Sequence, residues 1–261
     1  MTFGGKVTAL ILTYNEAPNI ERVLQRLDWV SGIVVVDSGS DDGTLQILAR
    51  NPRVRCVHRA FDDHARQANF GLQSAGIDSE WVLALDADFV LSDALAAEMA
   101  ALDPPADVNG YVTRFTYCVE GRPLRGTLYP DLVTLFRREA GRYVQNGHAH
   151  RLRLSGRSVP LQGRMLHDDR KPLARWLWSQ NLYAGMEVQK LLGGGGVPLR
   201  LQDRLRRLLI VTPWLVPLYC LTIGRGLLDG LPGLHYALQR GVAEGIIAMK
   251  LIEARLGKQR S

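Results

Sequence analysis

Apolar and polar positions come in alternating blocks along the first hundred residues. Val7–Asn15 (VTALILTYN) is a β-rich apolar run that ends in polar residues. Gly32–Asp37 (GIVVVD) is continuously apolar, the pattern of a strand buried on both faces. Val54–His58 and Trp81–Leu85 read as two further strands. Between these runs the period changes. Asn19–Trp29 sets Ile20, Val23, Leu24 and Leu27 on one helical face, with Pro18 near its start, where a helix tolerates it. Thr44–Arg50, Ala65–Ala75 and Asp93–Leu102 also read as helices, the last capped by Ser92 or Asp93. This order predicts an α/β fold, a mostly parallel sheet with helices on both faces.

The pattern changes after Pro104-Pro105. Tyr111–Val119 and Leu132–Arg137 look like strands joined by irregular, Arg-rich connections, and Arg175–Leu192 reads as a long helix. The glycine run Gly193–Gly196, followed by Val197-Pro198, reads as a linker. The expected organisation is a catalytic-type domain over 1–195 and a helical, basic and apolar segment over 196–261.

Charge sharpens that division. The chain of 261 residues carries a net charge of +6. Residues 1–199 balance to zero, so the whole excess lies between Arg200 and Ser261. That argues against a nucleic-acid binder and for a basic attachment region. The longest uncharged stretch, Leu208–Gly224, is 17 residues long and holds Pro213 and Pro217. It is short for a span and suits a re-entrant or interfacial segment. Three widely spaced cysteines point to a reducing compartment, and the N-terminus shows no signal-peptide pattern.

Three polar clusters follow apolar strands: Thr13-Tyr14-Asn15-Glu16, Asp37-Ser38-Gly39-Ser40-Asp41-Asp42-Gly43-Thr44 and Asp86-Ala87-Asp88. Each alone could be a polar turn. Together they would line one crevice, because ligands of open parallel sheets sit beyond the carboxyl ends of the strands. On extended backbone, Asp86 and Asp88 would point the same way, and an oxygen-preferring Mg²⁺ or Mn²⁺ would relieve their repulsion and bridge to a diphosphate. No GxGxxG or GxxxxGK[ST] is present, which removes the main support for dinucleotide oxidoreductases and P-loop enzymes.

TYNE, DSGSDDGT and DAD in this order resemble the family 2 glycosyltransferases of GT-A fold, whose sheet is Rossmann-like. HARQANFGL (His64–Leu72) resembles that family's Arg/Gln/Asn helix leading into the DxD strand, while HDDRKPLARWLWSQNLYAGMEV (His167–Val188) and Gly226–Leu256 resemble a segment and the membrane-associated tail of the bacterial lipopolysaccharide-core glucosyltransferases. It implies an enzyme, a hexosyltransferase, with Thr13, Tyr14, Asn15 and Glu16 beside the base and ribose. Asp37 would accept a hydrogen bond from the base, with Ser38, Gly39, Ser40 and Asp41 shaping the pocket. Arg66, Gln67 and Asn69 would face the nucleotide-sugar. Asp86, with Ala87, would touch ribose or sugar, and Asp88 would hold the metal, with His167 as a further ligand. Asp41 is favoured over Asp42 for a site role.

Related enzymes place an acid after Gly-x-x-His, where this chain has Arg151 in Asn146-Gly147-His148-Ala149-His150-Arg151. Asp131, His148 and His150 remain as candidate bases, Asp131 first. Arg151 could instead meet phosphate on an anionic acceptor. The leading expectation is metal-dependent inverting transfer from a nucleotide-diphosphate sugar, UDP-sugar favoured, to a cell-envelope glycan or lipid-linked acceptor. The chain would work in the cytoplasm, peripheral on the inner face of the anionic membrane, where the basic run Arg200–Arg207 helps it dock. The C-terminal helices could also join copies of the chain. The alternatives are transfer to polyprenyl phosphate, a non-catalytic nucleotide-sugar or glycan binder, and a nucleotidyltransferase. TYNEAPN is not the glycine-rich loop the last would need.

Overall fold

The computed structural model describes residues 2–147, 149–193 and 199–258. The chain divides into two compact units, one of residues 1–118, 129–144 and 151–170, the other of residues 119–128, 145–150 and 171–261. The elements in chain order begin β1 (Val7–Thr13), α1 (Ile20–Leu24), β2 (Gly32–Asp37), α2 (Thr44–Ala49), β3 (Val54–His58), α3 (His64–Ser74), β4 (Trp81–Asp86) and β5 (Phe89–Leu91). They continue with α4 (Asp93–Ala100), β6 (Val108–Val119), β7 (Arg122–Pro123), β8 (Leu132–Arg137), β9 (Gly141–Asn146), β10 (Ala149–Leu154) and β11 (Arg157–His167). Four helices follow: α5 (Leu173–Leu191), α6 (Leu201–Arg206), α7 (Thr212–Leu221) and α8 (Leu231–Lys258).

In the first unit the main sheet runs β3-β2-β1-β4-β8-β6-β11-β5, and β9 pairs with β10 apart from it. The first four strands are parallel. β8 turns antiparallel to both β4 and β6, β11 runs parallel to β6, and β5 is antiparallel to β11. The arrangement is the mixed α/β fold expected from the alternating pattern, with parallel pairing through β3, β2, β1 and β4. The continuous apolar runs serve two cores through the period-2 alternation of strand side chains. Ala9, Ile11, Ile33, Val35, Leu83 and Leu85 face a core shared with α1 and α4. Leu10, Val34, Val36 and Val82 face a second core, closed by Ala65, Ala68 and Leu72 of α3. Edge strand β3 has only half-buried and exposed residues, as fits its place.

Two expectations are corrected. The helix expected over Asn19–Trp29 closes after Leu24, and the chain continues in tighter turns, with the Arg26 and Leu27 amides donating to the carbonyls of Val23 and Leu24. The apolar face survives, since Ile20, Val23 and Leu27 are fully buried. Asp86 and Asp88 do not lie on one extended segment. Asp86 ends β4, and Ala87-Asp88 form the turn into β5. The helix starts follow the capping residues: Asp63 accepts from the Arg66 amide at 2.8 Å, and Ser92 from the Leu95 amide at 3.2 Å.

The second unit is helical. α8 packs on α5 and α7, with Ala184, Val188, Leu191, Ile247 and Leu251 at the α5–α8 contact. The α7–α8 corner is built by close backbone approach: a Cβ on Gly233 would lie 2.0 Å from the Gly226 carbonyl oxygen. A group of buried charges joins the helices. Arg206 donates to both Glu244 oxygens (2.9 and 3.1 Å from Nε) and to Glu187 at 3.3 Å, and Lys190 meets Asp203 at 3.0 Å. Arg206 is therefore committed inside the unit, while Arg200, Arg204 and Arg207 of the basic run stay exposed.

The opposite character marks the surface of α7, the turn after it and the start of α8. Ile210, Trp214, Ile223, Leu227, Leu228 and Leu231 are each at least 67% exposed. No helix among the described residues is long and apolar enough to cross a membrane. α7 is ten residues long with Pro217 inside it. Most of the expected linker, residues 194–196 with Val197 and Pro198, lies outside the described residues.

Candidate functional site

The parallel register gathers the first two polar clusters at one edge. Thr13 pairs with Asp37, Asp37 with His58, and Leu12 with Asp86, so the carboxyl ends of β1, β2, β3 and β4 form a row. Asp37 is 1% exposed. Its Oδ2 accepts from the hydroxyls of Thr13 (2.9 Å) and Ser40 (2.5 Å), and its Oδ1 from the amides of Gly39 and Ser40 (both 2.9 Å). Burial would raise this carboxyl, but the bonds from Ser40, Gly39 and Thr13 outweigh it, and its pKa falls below the ordinary value. All four acceptor positions of the carboxylate are thus in use within the protein. A base could bond to Asp37 only if one of these donors gave way.

The two loops are tied to each other. Asn15, held at φ 57°, donates its amide to Ser40 Oγ at 2.8 Å and exchanges two hydrogen bonds with Asp41. The Glu16 amide donates to Thr44 Oγ1 at 2.8 Å, and the Ala17 amide to Asp42 at 3.1 Å. Asp42 also accepts from the Thr44 amide at the start of α2, so it braces the loop while Asp41 stays exposed beside Asn15. Tyr14 is 39% exposed at this rim.

Helix α3 supplies Gln67, which is 1% exposed and donates to Ser38 Oγ and to the Arg59 carbonyl, both at 2.8 Å. Its carbonyl oxygen accepts from the Arg59 guanidinium. Arg59 carries no motif signal. Its position could be read only from its place one residue beyond β3. Arg66 is exposed and paired with Asp62 and Asp63. Asn69 spends its amide on the backbone of Tyr143, donating to the carbonyl and accepting from the amide at 2.9 Å each. Tyr143 is buried, and burial together with the nearby Asp86 charge drives its phenol pKa well up.

At the third cluster Asp88 is 9% exposed and its Oδ2 lies 3.3 Å from His167 Nε2. β11 delivers His167 by pairing it with Phe89 on one side and Tyr117 on the other. The rings of Phe89, Tyr117 and Tyr129 wall the imidazole at centroid distances of 5.3, 4.8 and 4.5 Å. No group of three or more His, Cys, Asp or Glu is arranged to hold a metal among the described residues. Asp86 is half-buried at the end of β4. Among the candidate bases, Asp131 is exposed and His150 half-buried, and His148 lies outside the described residues.

The profile described as glycosyl transferase family 2 matches residues 8–153, more than half of the chain. The chain belongs to that family. The matched span holds TYNE, DSGSDDGT and DAD, and leaves His167 beyond its end. As a family 2 glycosyltransferase the chain is an enzyme. A glycosyltransferase of Rickettsia bellii, otherwise uncharacterised, is 33% identical over 95 residues, 36% of this chain and 31% of its own length. The lipopolysaccharide core biosynthesis glycosyltransferase LpsC of Rhizobium meliloti is 26% identical over 202 residues, 74% of each chain. Among solved structures, S. aureus TarS 1-349 in complex with UDP-GlcNAc aligns with 97% of this chain and 92% of its own, at 14% identity and a TM-score of 0.49.

Proposed function

We propose that this family 2 glycosyltransferase moves a sugar, with inversion, from a nucleotide-diphosphate sugar to a hydroxyl of a cell-envelope glycan or lipid-linked acceptor, and that it needs Mn²⁺ or Mg²⁺. The observation that carries the reading is the Asp88–His167 pair, set beside the row of strand ends in an aromatic wall. One carboxylate oxygen and one imidazole nitrogen suit a cation that completes its shell with phosphate oxygens, because Mg²⁺-type sites commonly take one or two carboxylates and the substrate's own phosphates. Asp88 and His167 would hold that ion. When bound, it supplies positive charge against the departing diphosphate.

The rest of the work falls to the chain. The cross-tied loops 13–17 and 37–44 give a rigid floor for the nucleoside, with Tyr14 and Asp41 at its open rim. Phe89, Tyr117 and Tyr129 shield most of the His167 ring, whose side chain is 15% exposed, and such partial desolvation strengthens electrostatic interactions there. Asp131, exposed, is the first candidate to take the acceptor's proton, with His150 as the second. The lipopolysaccharide-core acceptor follows the printed function of the Rhizobium relative, and uridine follows the sequence resemblance.

The bare apolar face of α7, the following turn and early α8 is assigned to an anionic bilayer surface. From Leu208 to Ala243 the one acid is Asp229, whose side chain is 7% exposed and paired with Arg125, while Arg225 stands exposed in the patch. An apolar face with basic residues and no solvent-facing acid complements anionic lipid. A thermal-shift screen of nucleotide-sugars with and without Mn²⁺ tests the donor reading. Stabilisation by one nucleoside class, increased by Mn²⁺, is expected. No shift with any donor in either condition would contradict it.

A further inference from the structure

One buried asparagine joins the nucleotide loop to the metal side of the site. Asn19 is 0% exposed and sits just before α1. Its Nδ2 donates to Glu16 Oε2 and to Asp169 Oδ1, both at 2.9 Å. Its Oδ1 accepts from Arg22 Nη2 at 2.8 Å and from the Arg170 amide at 2.9 Å. Every donor and acceptor position of the side chain is therefore filled, and a buried amide so satisfied fixes its partners in one arrangement.

The partners matter more than the number of bonds. Glu16 belongs to the loop after β1. Asp169 and Arg170 lie two and three residues after His167. Arg22 donates to Asp168 Oδ2 at 2.6 Å and to the Asp168 carbonyl at 2.7 Å, and Arg170 pairs with the same carboxylate at 2.9 Å. Asp168 is 4% exposed, and its amide donates to the Asp88 carbonyl at 3.1 Å. Three segments distant in sequence, 16–22, 88 and 167–170, thus meet around the Asn19 side chain and the Asp168 that Arg22 and Arg170 both hold. The chain leaves β11 at His167, so the bracket around Asp168–Arg170 sets where that imidazole stands opposite Asp88.

We propose that Asn19, with Arg22 and Asp168, is a positioning residue that couples the nucleoside loop to the Asp88–His167 pair, so that binding at one strengthens binding at the other. This rests on the donor and metal reading above. Coupling between two such sites is reciprocal and appears as a change in one affinity when the other ligand is present. Residues that orient metal ligands from behind typically change affinity or activity by about 10- to 100-fold.

The test uses the full chain, UDP as probe, and calorimetry with Mn²⁺ or with EDTA. In the wild type, Mn²⁺ is expected to tighten UDP. In Asn19→Ala, UDP in EDTA keeps most of its affinity, while the gain from Mn²⁺ shrinks by about 10-fold or more. Hydrogen exchange of the uncomplexed protein is read alongside. The Asp168 and Arg170 amides should exchange faster in the variant while those of β1 and β4 stay protected. Asn19→Asp sets a carboxylate against Glu16 and Asp169 and should be worse. Combining it with Asp169→Asn restores one donor–acceptor pair and should recover part of the Mn²⁺ gain, which a general loss of stability would not. An Asn19→Ala protein with the full Mn²⁺ gain and unchanged exchange at 168–170 overturns the proposal. A wild type in which Mn²⁺ leaves UDP affinity unaltered overturns the metal reading and the coupling together, and the exchange data would then report the bracket alone.

Discussion

At the scale of single residues, the site is held by hydrogen bonds that burial makes obligatory. Asp37 takes four of them, and Asp37→Ala would strand the Gly39 and Ser40 amides and two hydroxyls. The expected cost is about 3 kcal/mol, read by urea unfolding at pH 7. The sign of the pH dependence follows from its lowered pKa. A carboxyl whose folded pKa lies below the unfolded value stabilises fully above that unfolded value. The stabilisation fades as pH falls from about 4 through the folded pKa. Wild-type stability should drop over that window, and Asp37→Asn should flatten the drop. The clusters themselves were legible, because polar residues after an apolar strand in a parallel sheet have few places to go. The bracket at Asn19 was not. Two of its four partners, Asp169 and Arg170, lie about 150 positions away in sequence, and nothing in TYNEAPN marks that asparagine for them.

At the scale of elements, strands β1 to β4 could be read from their apolar runs, since strands buried on both faces leave a long unbroken signal. β9, β10 and β11 could not. They are Arg-rich, half-exposed and flanked by glycine turns, so their composition resembles a loop. The turn at Ala87-Asp88 is hidden for a related reason: Phe89–Leu91 continues the apolar pattern of β4 across the break. In the helical unit, buried charges join α5, α6 and α8. Arg206→Met would leave Glu244 and Glu187 without their main partner and should destabilise the unit by about 3–5 kcal/mol, measured as a shift in urea midpoint. At the α7–α8 corner, Gly233→Ala drives a methyl into the Gly226 carbonyl and should cost about 1–3 kcal/mol in the same measurement.

At the scale of the molecule, the net charge of +6 belongs to a C-terminal region that is also the most apolar on its surface. Sequence marked Leu208–Gly224 and the basic run before it. The structure extends the bare face through Leu227, Leu228 and Leu231, and withdraws Arg206 into the interior. Sedimentation with phosphatidylglycerol vesicles should retain the wild type and release a Trp214→Glu, Leu228→Glu variant, while phosphatidylcholine vesicles retain little of either. Equal retention of variant and wild type would remove the bilayer from the account, and a dimer lost in the variant would assign the face to a second copy.

The proposed function stands on metal-assisted inverting transfer at Asp88 and His167. Its most direct test is the transfer reaction itself, run with labelled UDP-sugars and a lipopolysaccharide-core acceptor, for wild type and Asp88→Asn, in Mn²⁺ and in EDTA. Turnover is expected only for wild type in Mn²⁺, with a fall of at least about 100-fold in Asp88→Asn and a product of opposite anomeric configuration to the donor by NMR. Undiminished turnover in EDTA, or by Asp88→Asn, or a product of retained configuration, would contradict it.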